Sequence, residues 1–109
     1  MPRRTVLLPP RRDAAEYTEK QFLEQVIDAA RTLGWEPYHP WLSIHSQSGW
    51  PDLALVRPPR LILAELKSQK GKLRESQIHW LDLLGRCEGF EVYLWRPADM
   101  AGEILQVLR

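Results

Sequence analysis

An α/β fold, with helices flanking a small mixed sheet, is predicted by three features of this 109-residue sequence. Apolar residues recur at helical spacing in two segments, from Phe22 to Leu33 and from Ile78 to Leu84. Three short runs, Asp52 to Val56, Leu61 to Leu66 and Phe90 to Trp95, have the length and apolar character of strands. The two kinds of segment follow one another as α–β–β–β–α–β–α, an order that helices layered on a sheet accommodate.

Each element has its own signal. Thr18 and Gln21 form a capping-box pair ahead of Phe22, Leu23, Val26, Ile27, Ala30 and Leu33, and Gly34 supplies the stop. Trp35 to His45 mixes aromatics and prolines with a loose alternation, which reads as one poorly regular strand or two short ones. After the polar Ser46 to Trp50 loop, Asp52 to Val56 and Leu61 to Leu66 stand either side of Pro58-Pro59 and form a hairpin. The second of these runs is nearly all apolar, as in a strand buried on both faces. Lys67 to Lys72 is a basic loop, the second helix ends between Gly85 and Gly89, and Met100 to Leu108 reads as a short terminal helix. Trp80 and Trp95 fall on buried patterns.

Composition narrows the class. Hydrophobic residues at 44% and charged residues at 27% place the chain among globular proteins, not disordered ones. Residues 1–15, with four arginines and paired prolines, read as a flexible basic arm, and 16–109 as a single domain. One cysteine, Cys87, excludes an internal disulfide and a Cys-rich zinc site. No apolar run approaches the ~18 residues of a membrane span, and Pro9-Pro10 interrupts the only apolar stretch near the N-terminus. A cytoplasmic protein with no membrane partner is the expectation. The net charge of +1 is uninformative, but Arg57, Arg60, Lys67, Lys70, Lys72 and Arg74 face only Glu65 within their segment. Such segregation suits phosphate tracking, although charge alone is better accounted for by a solvated loop and a loose tail.

Three residues carry the chemistry. Asp52 opens one strand of the hairpin, while Glu65 interrupts the apolar run of the other, where an isolated carboxylate is costly to bury. Lys67 shares the face of Glu65, because side chains in a strand repeat every second residue. Two converging carboxylates are hard oxygen ligands of the kind that Mg²⁺ takes, and the cation polarises phosphate and acidifies water. A neighbouring lysine stabilises charge in the transition state or helps to deprotonate water. Glu-x-Lys by itself is common; its placement at a strand end opposite Asp52 is what gives it weight.

Glu19 lies on the apolar stripe of the first helix, and a supporting role at the site stands beside a plain first-turn acid favoured by the helix dipole. Gln77 sits at the rim of the face carrying Trp80, Leu81 and Leu84, where an amide needs a partner such as water or phosphate; a surface glutamine is the alternative. Trp50 either stacks on a base or packs over the hairpin. His39, His45 and His79 lack ligand spacing.

Pro51-Asp52 followed by Glu65-Leu66-Lys67 resembles the PD-(D/E)xK nuclease superfamily, whose restriction-endonuclease-like core is αβββαβ. Within it, Glu19, Gly49-Trp50-Pro51-Asp52, Glu65-Leu66-Lys67 and Gln77 are similar to the small stand-alone VRR-NUC (virus-type replication-repair nuclease) proteins of phages and bacteria. The likeness spans residues 18–96 and misses no motif position. It implies Mg²⁺ dependence, with Mn²⁺ substituting, and hydrolysis of phosphodiester bonds in DNA. Stand-alone members resemble Holliday-junction resolvases and act as homodimers, whereas larger relatives such as the Fanconi-associated nuclease cut flaps. Carried over, Asp52, Glu65 and the Leu66 backbone carbonyl would bind metal, with Glu19 in support. Lys67 would be the catalytic lysine and Gln77 would orient water or phosphate. From their own place in the sequence, beside the site or in the basic loop, Ser48, Trp50, Ser68, Lys70, Lys72 and Arg74 are expected to contact DNA. A dimer interface is expected at Trp35 to Trp41 or Ile104 to Leu108.

Two rival readings use the same residues. A nucleic-acid-binding module would keep the fold without cutting, and a structural protein would use Glu65 and Lys67 as a buried ion pair.

Overall fold

The computed structural model describes residues 13–40 and 48–109. The expected arm up to residue 12, and Trp41, Leu42, Ser43, Ile44, His45 and Ser46, lie outside the described residues. A 3₁₀ turn at Ala14–Glu16 leads into α1, Glu19–Thr32. Thr18 caps this helix as expected: its Oγ1 accepts from the Gln21 N–H at 3.1 Å, and Gln21 Oε1 accepts from the Thr18 N–H at 3.0 Å. Phe22, Val26, Ala29 and Ala30 form its buried stripe. The helix ends where Gly34 takes φ +89°, a left-handed conformation that glycine adopts without steric cost.

Four strands make one mixed sheet in chain order: β1 Glu36–Tyr38, β2 Leu53–Arg57, β3 Arg60–Leu66 and β4 Glu91–Trp95. β1, β2 and β3 are antiparallel neighbours, and β2–β3 is the predicted hairpin, turning at Pro58-Pro59. β4 lies parallel to β3 and is reached through α2, Glu75–Gly85. A parallel pair needs such a crossover, so the order strand, basic loop, helix, strand accounts for the mixed sheet. After β4 come a 3₁₀ turn at Pro97–Asp99, a π-helical turn at Met100–Ile104 and α3, Leu105–Leu108. The single terminal helix expected from the sequence is therefore a wide turn continued by one α-helical turn.

The core sits on one face of the sheet. In register, Leu53 pairs with Ala64 and Leu55 with Ile62, while Leu66 lies beside Trp95, so these side chains share a face. All are buried, together with Phe22, Val26, Ala29 and Ala30 of α1 and Met100, Ile104, Leu105 and Leu108 of the terminal segment. Burying a side chain of this size stabilises by roughly 1.5–3 kcal/mol. Trp35 closes the layer: its indole N–H donates to the Leu108 carbonyl at 2.8 Å. Arg57 reaches the same region, donating to Leu33 O at 2.9 Å and Leu108 O at 3.0 Å, with its guanidinium 4.4 Å from the Trp35 ring centre. Trp35, Ile104, Leu105 and Leu108 are thus spent in the core, which removes them from the subunit interface expected at Trp35 to Trp41 or Ile104 to Leu108; Tyr38, in the first stretch, is exposed. Trp80, placed on a buried pattern by sequence, is only half-buried.

Ile62 to Leu66 are all buried, so the run read as covered on both faces is so. The second face is covered by α2, and it is there that Glu65 points.

Candidate active site

The site forms where the hairpin's β2 starts and its β3 ends. Asp52 directly precedes β2, and its Oδ2 accepts from the Leu66 N–H at 3.1 Å, tying the two strand ends together. Glu65 is only 1% exposed. Its Oε2 accepts from Gln77 Nε2 at 2.8 Å, whereas its Oε1 is buried with no hydrogen-bond partner among the described residues. Burial foremost, and then the adjacent negative charge of Asp52, push the Glu65 carboxyl up to about 8; the nearby Lys67 ammonium opposes this.

Gln77 does two jobs at once. While its amide N–H₂ holds Glu65, its Oε1 accepts from the Arg74 backbone N–H at 2.8 Å, at the N-terminal end of α2. The same side chain therefore fixes the first turn of the helix and the orientation of a buried carboxylate. Lys67 follows β3, and its backbone N–H donates to Trp95 O at 3.1 Å. Its ammonium lies 3.9 Å from a Glu19 carboxylate oxygen, a loose pair in which Glu19 is half-exposed. Glu19, Asp52, Glu65, Lys67 and Gln77 are thereby assembled from four separate segments of the chain.

The loop carrying Asp52 is docked on α2. Gly49 has φ +91°, and a Cβ there would lie 2.3 Å from the Ser76 carbonyl oxygen, so only glycine permits this approach. Ser48 and Ser76 hydroxyls are 3.1 Å apart, and Trp50 meets Trp80 in a T-shaped contact with ring centres 5.1 Å apart. On the far side of Lys67, Arg96 organises the basic loop. One guanidinium nitrogen donates to Ser68 O and Gly71 O, both at 2.7 Å, and Gln69 Oε1 accepts from the Ala98 N–H at 2.9 Å. Lys70, Lys72 and Arg74 of that loop are exposed.

Ser76 and Arg96 hold the loops around the candidate site, and the sequence did not single them out. Neither belongs to a motif, and each acts only through a contact distant in the chain. His39 lines the cleft over Asp52, His79 lies against Trp80, and neither joins the carboxylates in a metal cage. The cleft measures about 640 Å³, with Glu19, Asp52, Leu66, Arg74 and Gln77 on its walls.

A divalent cation fits this donor set. Among the described residues no group of three or more His, Cys, Asp or Glu is gathered as a closed cage. Mg²⁺, however, commonly takes one or two carboxylates and completes its shell with water and phosphate. Two carboxylates pressed together, one with an orphaned buried oxygen, need a positive charge for both to ionise.

The mixed sheet with flanking helices, carrying Pro51-Asp52 on one strand of the hairpin and Glu65-Leu66-Lys67 on the other, is consistent with a PD-(D/E)xK-like nuclease core. The VRR-NUC domain matches residues 13–98, and the chain belongs to this family of nucleases. No match was found among curated proteins or solved structures. Among the described residues no helix is long and apolar enough to cross a membrane.

Proposed function

We propose that the chain is a Mg²⁺-dependent DNA endonuclease, with Mn²⁺ able to substitute, that hydrolyses phosphodiester bonds in branched DNA and works as a homodimer in the cytoplasm of a bacterial or phage-infected cell. The observation that carries the reading is the Asp52–Glu65 pair: Glu65 is a buried carboxylate with an orphaned oxygen, and beside it Asp52 lines a cleft.

Asp52, Glu65 and the Leu66 carbonyl would hold the cation, with Glu19 supporting through water. When bound, the cation supplies Lewis-acid charge against the phosphate and acidifies water. The protein does the rest. Gln77 keeps Glu65 in one orientation through a 2.8 Å hydrogen bond, so the carboxylate needs no rearrangement at the moment of reaction. Lys67, held only loosely by Glu19, is available to neutralise charge growing on the phosphate oxygens. Ser48, Ser68, Lys70, Lys72 and Arg74 position the DNA backbone, and Trp50 meets a base.

Symmetric incision across a four-way junction needs two sites related by a two-fold axis, which a C2 dimer supplies. With the core groups spent internally, the large apolar side chains left exposed among the described residues, besides Trp50, are Tyr38, Val56, Ile78 and Leu83, and these would form such an interface. The test is a cleavage panel in Mg²⁺: four-way junction, flap, fork and linear duplex. Paired cuts in the junction are expected. Equal nicking of every substrate would remove the branch preference, and binding without cutting in any divalent cation would leave only a DNA-binding module.

A further inference from the structure

Trp50 is 44% exposed although it stands two residues from Asp52, in the wall of the cleft. Its T-shaped contact with Trp80, at an interplanar angle of 71°, covers at most one face of the Trp50 ring. The indole is not loose. Gly49 is wedged against the Ser76 and Gln77 backbone, and Pro51 on its other side is buried. A rigid aromatic face is therefore held open toward the cleft.

Two cations line the same cleft. Lys20 comes from α1, on the core side of the sheet, and Arg74 from the start of α2, on the opposite side. Neither is ion-paired among the described residues. The cleft volume, about 640 Å³, falls in the ~300–1,000 Å³ range of pockets that enclose small ligands.

An aromatic platform sharing a cleft with two cations from different elements suits a nucleotide whose base is free on one face and whose flanking phosphates need positive charge. Bases inside a duplex are stacked on both faces and have none to give. Resting on the nuclease reading above, we propose that this cleft is a subsite for one unpaired nucleotide adjoining the scissile phosphate, its base stacked on Trp50 and its phosphates met by Lys20 and Arg74. The substrate class is then DNA with an unpaired base beside the cut, as at a bubble, a gap or an open branch point.

The experiment measures binding of the full chain by fluorescence anisotropy in EDTA, so that nothing is cut. The probes are a perfect duplex, the same duplex with a short unpaired bubble, and that bubble carrying abasic sites. The wild type should prefer the bubble over both others by about tenfold or more. Trp50→Ala should collapse that ratio toward one, Trp50→Phe should keep most of it, and Lys20→Ala should lower the salt dependence of bubble binding. Equal wild-type affinity for bubble and duplex, an abasic bubble bound as well as an intact one, or a ratio unchanged in Trp50→Ala would each overturn the proposal. Misfolding of Trp50→Ala is covered by Trp50→Phe and by the abasic probe, which alters no residue. A parallel Mg²⁺ cleavage assay separates the two claims: cutting without bubble preference removes the subsite alone, and bubble preference without cutting removes the nuclease alone.

Discussion

Without a cation beside it, Glu65 keeps its proton into the neutral range, and this has a consequence for stability. Burial and the neighbouring Asp52 push its carboxyl up to about 8 in the folded chain, from an ordinary value of 4.5. Between those values the folded state binds more protons than the unfolded state, so the metal-free protein loses stability as pH rises from about 4.5 to about 8. Thermal melts in EDTA should show that slope. Glu65→Gln, which keeps a hydrogen-bonding partner for Gln77 but cannot ionise, should flatten it. Because metal binding displaces the same proton, Mn²⁺ affinity should increase over this pH range in the wild type. Lys67 acts differently. Lys67→Ala should keep Mn²⁺ affinity within a few-fold by calorimetry while cleavage slows by roughly 10²-fold or more, because its charge matters in the transition state. Equal losses of metal binding and of rate would make Lys67 a structural partner of the carboxylates.

At the scale of elements, the site depends on two docked loops. Gly49→Ala puts a methyl group against the Ser76 carbonyl in a backbone conformation that alanine rarely adopts. Its Tm should fall and its cleavage rate drop at least tenfold, since Asp52 leaves with the loop; wild-type values for both would refute the docking. Arg96→Gln removes the donors that gather Ser68 O and Gly71 O. Amide exchange in the Ser68–Gly71 loop should accelerate, with DNA affinity falling more than the rate of the chemical step. These contacts also mark what the sequence concealed. Asp52, Glu65 and Lys67 were readable because an apolar strand of period two makes a lone carboxylate conspicuous and proline punctuates the hairpin. Gln77 was readable as an amide at the rim of a buried face, but not as a simultaneous helix cap. Gly49 was readable as part of the Gly49-Trp50-Pro51-Asp52 motif but not as a docking contact, and Ser76 and Arg96 gave no local signal, because the partners of all three lie 25 or more residues away and meet them only when α2 and β4 pack.

For the whole molecule, a single face of the sheet holds the core, and the chain's apolar terminal segment is part of it. This is why Trp35, Ile104, Leu105 and Leu108 are unavailable to the interface expected at Trp35 to Trp41 or Ile104 to Leu108, while Tyr38 of the first stretch stays exposed: amphipathic segments look alike whether they cover their own sheet or another copy's. Light scattering at micromolar concentration should give twice the chain mass, and Val56→Asp should halve it. A monomer with and without DNA would move the activity toward nicking a single strand.

The central claim is that Asp52 and Glu65 together bind the cation that makes this fold cut DNA. Nicking of supercoiled plasmid as a function of Mg²⁺ concentration tests it most directly, with wild type, Asp52→Ala and Glu65→Ala compared at equal DNA-bound fraction. Saturable Mg²⁺-dependent nicking by the wild type is expected, abolished by EDTA and lost in both variants, while both still bind DNA. Wild-type nicking by either variant, or nicking that persists in EDTA, would contradict it.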